Sequence, residues 1–167
     1  MAWARRLRAK LPEKALDVMV AALGFWIALG INSAIDARHD RAAYQAIVMS
    51  IRSEATSNQV VLQDSFEMFY RDGVVLRHFS LTAATQAMGN STFTREAEGE
   101  TLEALNEYIR TLMLANSYAD AAQILNYFPN KQNSRWLESI LLVWPKNLED
   151  SRVQIERIQH LGNGLMR

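Results

Sequence analysis

Three histidines, His39, His78 and His160, are the first residues to weigh for chemistry. None stands at a metal-ligand spacing such as HExxH or HxxxH, so none predicts a metal site. His39 lies between Asp36 and Asp40, where an imidazole could titrate or meet a lipid head group; a solvated charge cluster is the preferred reading. Glu96, Glu98, Glu100 and Glu103 gather where a helix is expected to begin, and negative charge there complements the helix dipole. No Asp/Asn-rich loop frames these carboxylates in the way a cation site needs. The chain has no Cys, which excludes disulfides, thiolate metal sites and Cys nucleophiles together. No Ser occupies a GxSxG turn, and Gly162-Asn163-Gly164 has neither the preceding strand nor the following helix of a phosphate loop. Asn90-Ser91-Thr92 fits a glycosylation sequon that is accidental in a bacterial protein. The expectation is therefore no catalytic residue, no cofactor, no metal, and no enzyme.

The totals agree. In 167 residues, Lys+Arg and Asp+Glu are both 18, and a neutral chain gives no argument for a nucleic-acid partner. Charge is nevertheless uneven. Residues 1–17 carry Arg5, Arg6, Arg8, Lys10 and Lys14 against Glu13 and Asp17. Gly (7) and Pro (3) are scarce, which favours helices over turn-rich β structure.

From Val18 to Ile35 no residue is charged. Such a run, as a helix of 1.5 Å rise, spans about 27 Å, close to the hydrocarbon thickness of a bacterial inner membrane. A soluble core helix would show a polar stripe, and a cleaved signal peptide a shorter apolar stretch with a small-x-small cleavage site. The preferred reading is a membrane anchor at 18–35. Positive charge stays on the cytoplasmic side, so residues 1–17 are expected inside and 36–167 in the periplasm. Trp3, Leu7 and Leu11 share one face of the leader, and Trp3, Arg5, Arg6, Arg8 and Lys10 are candidates for head-group contact. Within the anchor, Ala21, Gly24 and Ala28 share one face, and Gly30 with Ala34 repeats the small-xxx-small spacing that lets helices approach in lipid. Trp26 near the middle and Asn32 near the distal end complete the candidate helix-packing set.

Residues 36–167 read as an all-α domain. No Pro or Gly interrupts 32–71, and Tyr44, Val48, Ile51, Ala55, Asn58, Leu62, Ser65 and Phe69 recur in steps of four and three. This predicts one long amphipathic helix continuous with the anchor, a rigid post ended near Gly73. A short helix or pair of turns is expected over 74–88, a loop over 89–94, and a helix over 95–114. Asn116-Ser117 reads as a cap opening a helix over 118–128, and Asn133-Ser134 as the start of the last helix. That helix has the stripe Leu137, Leu141, Trp144, Leu148, Ser151, Ile155 and Ile158, with Pro145 expected to kink or restart it. Two long heptad-like helices suggest an antiparallel pairing of first with last in a helical bundle. The aromatics mostly fall at core spacing.

The stretch from Leu16 to Arg41 resembles an uncharacterised bacterial single-anchor family with a basic leader, one N-terminal transmembrane helix and a helical extracytoplasmic domain. Leu16, Val18, Val20, Gly24, Leu29, Ile31 and Arg38 or Arg41 carry the spacing, and Ile51-Arg52-Ser53-Glu54 with Asn58 fit the helix that follows. Where the family often has Gln and Asn-Trp-Asn, this chain has Gly30 and Asn32-Ser33-Ala34. The resemblance implies topology and no activity. The functional expectation is a non-catalytic accessory or scaffold subunit of an inner-membrane complex, respiratory, photosynthetic or transport. Its partners would be membrane lipid and other subunits or a second copy. The alternative is a periplasmic ligand-sensing module that relays through the anchor.

Overall fold

With so few helix breakers, the backbone has little reason to leave the helical register. The computed structural model describes the backbone of residues 2–72, 77–127 and 131–161, with side chains throughout these except at 2–18, 20, 72, 126 and 131. The described residues are all-α, without a strand. Five helices follow in order: α1 (Ala2–Asp72), α2 (Thr82–Met88), α3 (Ser91–Glu96), α4 (Gly99–Tyr127) and α5 (Lys131–Gln159). They divide into two compact units, Met1–Ala42 and Ala43–Arg167.

The first unit is the helical backbone of α1 up to Ala42. From Met19 to Ile35 every described side chain is exposed, including Leu23, Phe25, Ile27, Leu29 and Ile31. Among the described residues, no helix is long and apolar enough to cross a membrane. Val18 and Val20, which belong to the expected anchor, lie outside the described side chains, as do Trp3, Arg5, Arg6, Arg8 and Lys10 of the leader.

The second unit has its own core. The α1 stripe Tyr44, Val48, Ile51, Ala55, Asn58, Leu62 and Ser65 is buried as its spacing predicts, and Phe69 packs against its edge. It meets Leu105, Tyr108, Leu112, Ala115 and Ala119 of α4 and Trp144, Leu148, Ile155 and Ile158 of α5 in one cluster. Each fully buried aliphatic side chain stabilises by roughly 1.5–3 kcal/mol, and Trp144 and Tyr108 are the largest side chains so placed. Two hydroxyls inside this core bond back to their own helices, Ser65 to the Val61 carbonyl and Ser151 to the Asn147 carbonyl, both at 2.7 Å.

Several expectations are corrected. α4 and α5 pack against one another as a long pair. These two are joined by a short connection and run antiparallel, with Arg157 late in α5 reaching Glu107 early in α4 at 3.6 Å. Asn58 of the α1 stripe and the buried Glu54 beside it need polar partners, and they find them in residues 80–84 and Tyr108. Residues 77–81 are not helical, and α2 begins only at Thr82, while 73–76 lie outside the described residues. The loop expected over 89–94 contains α3, because Asn90 accepts a bond from the Phe93 N–H at 2.9 Å and Phe93 is buried. That bond also gives the sequon asparagine a structural task.

No break occurs at Asn116-Ser117. Ser117 bonds back to the Met113 carbonyl within α4, and Asn116 turns to a different segment altogether. The last helix starts at Lys131, and Pro145 sits inside it without dividing it.

Candidate functional site

The residues singled out in sequence for packing in lipid all lie on α1. Ala21, Gly24, Trp26, Ala28, Gly30 and Asn32 are exposed, and a Cβ added at Gly24 or Gly30 would meet nothing within 4 Å. Neither glycine is therefore required by packing against the described residues. On a 3.6-residue helix Ala21, Gly24, Ala28 and Asn32 fall on one face, whereas Trp26 and Gly30 fall on the other side. His39 is exposed too, and no group of three His, Asp or Glu among the described residues could hold a metal ion. The acidic cluster is split between elements: Glu96 ends α3 and pairs with Arg95, while Glu100 lies in the first turn of α4.

The structure assembles a polar centre that none of these residues forms. It lies where residues 77–84 cross α1 and α4. Asn58, on the buried stripe of α1, donates from Nδ2 to the Ser80 carbonyl at 2.7 Å and to the Tyr108 hydroxyl at 2.6 Å. Its Oδ1 accepts from the Ser80 N–H at 2.8 Å. One carboxamide thus holds both main-chain groups of one residue. Asn116 on α4 does the same for the preceding residue: Oδ1 accepts from the Phe79 N–H at 2.8 Å, and Nδ2 donates to the Phe79 carbonyl at 2.9 Å. The Phe79 ring is buried between these bonds.

Glu54, one helical turn before Asn58, completes the arrangement. Its Oε2 accepts from the Ser80 hydroxyl at 3.0 Å and the Ala83 N–H at 2.7 Å, and its Oε1 accepts from the Ala84 N–H at 3.2 Å. Helix α2 has Leu81 at its N-cap, which offers no side-chain acceptor. A carboxylate from α1 therefore supplies the cap that the local sequence lacks. At the rim, Arg77 pairs with Asp64 of α1 at 3.1 Å, and His78 with Asp120 of α4 at 2.8 Å.

Electrostatics follow from burial. Desolvation pushes the Tyr108 phenol well above the ordinary tyrosine range; the Asn58 donor pulls it back in part, and the Glu54 charge raises it further. The phenol stays neutral through the physiological range. Tyr44, stacked on Phe93 at 5.4 Å, is raised by burial and by the Glu98 charge, against a bond with Thr101 that lowers it. Chemically, the centre holds a chain segment in place. Its carboxylate is occupied by two N–H groups and a hydroxyl.

Two grooves accompany this centre. One of about 300 Å³ runs between α4 and α5, lined by Glu107, Arg110, Leu114, Asn147, Asp150 and Gln154 among others, and the buried Gln154 Oε1 has no protein partner. The other, at the start of α5, is lined by Gln132, Arg135, Trp136 and Ser139. Both are open to solvent.

The sequence places Asn58 on the buried stripe and Glu54 within the family-like pattern and indicates a partner for neither. The available signal was two polar residues, one turn apart, on an otherwise apolar face. Asn116 carried a misleading signal, since Asn-Ser before an apolar run also reads as a helix cap. No protein-family model matches the chain, and neither does any curated protein or solved structure.

Proposed function

We propose that this protein is a membrane-anchored, non-catalytic accessory subunit, held by α1 in a bacterial inner membrane with its second unit outside the cytoplasm. The observation that carries the reading is the state of residues 19–35. Met19, Leu23, Phe25, Trp26, Ile27, Leu29, Ile31 and Ile35 are all exposed, from 46% for Leu29 to 73% for Trp26. The run from Val18 to Ile35 has no charge. An apolar surface around this run, uncovered by any of the described residues, needs lipid or another protein as its solvent. The basic leader sets the orientation, with Trp3, Arg5, Arg6, Arg8 and Lys10 as head-group contacts. The face bearing Ala21, Gly24, Ala28 and Asn32 suits close approach by a partner helix or a second copy. The saturated Glu54–Asn58–Asn116 centre supports a structural rather than a chemical task for the outer unit.

Alkaline carbonate extraction tests the anchor. The chain is expected to stay with the membrane pellet at full length, and recovery in the aqueous fraction defeats the proposal. Purification of the tagged chain in mild detergent is expected to bring other membrane subunits, or a second copy, in fixed stoichiometry.

A further inference from the structure

We infer that residues 77–84 form a latch between α1 and α4 that opens as one unit while the helical bundle stays folded. It does not depend on the membrane reading. Phe79 and Ser80 are consecutive, yet one is bound by α4 and the other by α1. Both bonds at Phe79 go to Asn116, and both main-chain bonds at Ser80 go to Asn58. Three atoms further on, Ser80 Oγ, Ala83 N and Ala84 N, converge on the single carboxylate of Glu54. The Phe79 carbonyl, held by Asn116, and the Ser80 N–H, held by Asn58, belong to one rigid peptide plane, so that unit cannot leave one carboxamide and stay aligned on the other; the four main-chain bonds run from 2.7 to 2.9 Å. Once Ser80 shifts, its hydroxyl leaves Glu54, and seven-residue α2 loses its cap. The seven donor and acceptor groups of residues 79–84 therefore engage or release together.

The latch is also the weaker part of the unit. Residues 77–81 are outside any helix, and the main-chain groups of Phe79 and Ser80 are held by side chains. Phe79 contributes one buried ring, whereas α1, α4 and α5 interlock through Ile51, Leu62, Leu105, Leu112, Trp144 and Leu148. Segments with few main-chain ladder bonds open at lower cost than a packed core. Closed, the latch ties α1 to α4 at fixed register. Open, it unties them and presents Asn58, Asn116 and Glu54 as groups suited to binding an extended main chain.

Amide hydrogen exchange on the full chain in detergent tests this. In Asn116→Ala, which removes only the clamp on Phe79, protection at Phe79, Ser80, Ala83 and Ala84 is expected to fall together by a common factor of roughly ten or more. Amides of Leu105, Tyr108 and Leu112 are expected to be unchanged. Loss confined to Phe79 overturns the inference, and so does equal loss across α4. If the variant does not fold, the wild-type chain decides. In low denaturant its four latch amides should share one opening curve, lying below that of the α4 amides. Four separate curves, or merger with α4, overturn it.

Discussion

Asn58 makes three hydrogen bonds from one buried side chain. Truncation to Ala leaves the Ser80 N–H and carbonyl and the Tyr108 hydroxyl without their partner. Stranding buried polar groups costs about 1–3 kcal/mol each where water cannot replace the bond. Asn58→Ala is therefore expected to lose about 2–4 kcal/mol of unfolding free energy in urea titration. Asn58→Asp, nearly isosteric, should recover none of it, because it removes both donors and sets a carboxylate oxygen against the Ser80 carbonyl. Full stability in the Asp variant would contradict the bond assignment. Tyr108 gives a pH signature. Its raised native pKa makes no difference below about pH 10, where folded and unfolded chains both keep the proton. Above that, the unfolded chain ionises first, so stability falls as pH rises toward the native pKa. Tyr108→Phe removes this loss, apart from a share owed to Tyr44, which is raised as well. The difference in urea midpoint between about pH 8 and about pH 11 should be smaller in the variant.

At the scale of elements, helix identity was legible wherever an apolar stripe ran for several turns. The steps of four and three on α1 and α5 mark residues that the structure buries, with Phe69, Leu137 and Leu141 half-buried against the core. Boundaries were less legible: α3 is capped locally by Asn90, yet 89–94 reads as a loop, because a six-residue helix is too short to show a period. At α2 the cap comes from Glu54, about thirty residues away in sequence, and no local pattern announces it. Asn116 illustrates the converse, a residue with a strong cap preference that sits inside α4 because Phe79 offers its amide a better use. Glu54→Ala is accordingly predicted to destabilise α2 selectively, at a cost of about 1–3 kcal/mol. Glu54→Gln, which keeps one acceptor, should cost about half as much. The comparison is read from amide exchange at Ala83 and Ala84. Pro145 makes the opposite case. It lies within α5, where it removes an N–H that would bond the Leu141 carbonyl. Because the helix continues through it, Pro145→Ala is expected to stabilise the unit by about 1–3 kcal/mol in the same titration.

At the scale of the molecule, the two units differ in how they satisfy their apolar surface. The second buries Trp144, Tyr108, Phe93 and the aliphatic seam of α1, α4 and α5 within itself, and each buried polar group of the latch has a partner in that unit. The first leaves Phe25, Trp26 and Ile27 more than 60% exposed. A chain of residues 36–167 retains every α1 residue that packs in the core, starting from Tyr44, and discards the exposed apolar run. It should therefore stay dispersed without detergent and unfold in one cooperative step, with a urea midpoint matching that of the full chain in micelles. A chain of residues 61–167 should not, because it lacks Ile51, Ala55 and the latch contacts of Glu54 and Asn58, leaving α4 with an uncovered apolar face. Circular dichroism and denaturant titration separate the two. If residues 36–167 bind dye as an expanded, non-cooperative state, the second unit needs the first to fold, and its core is not self-sufficient. A cooperative transition for both chains would place the stabilising core in α4 and α5 alone and remove α1, with its latch, from the account of how this unit holds together.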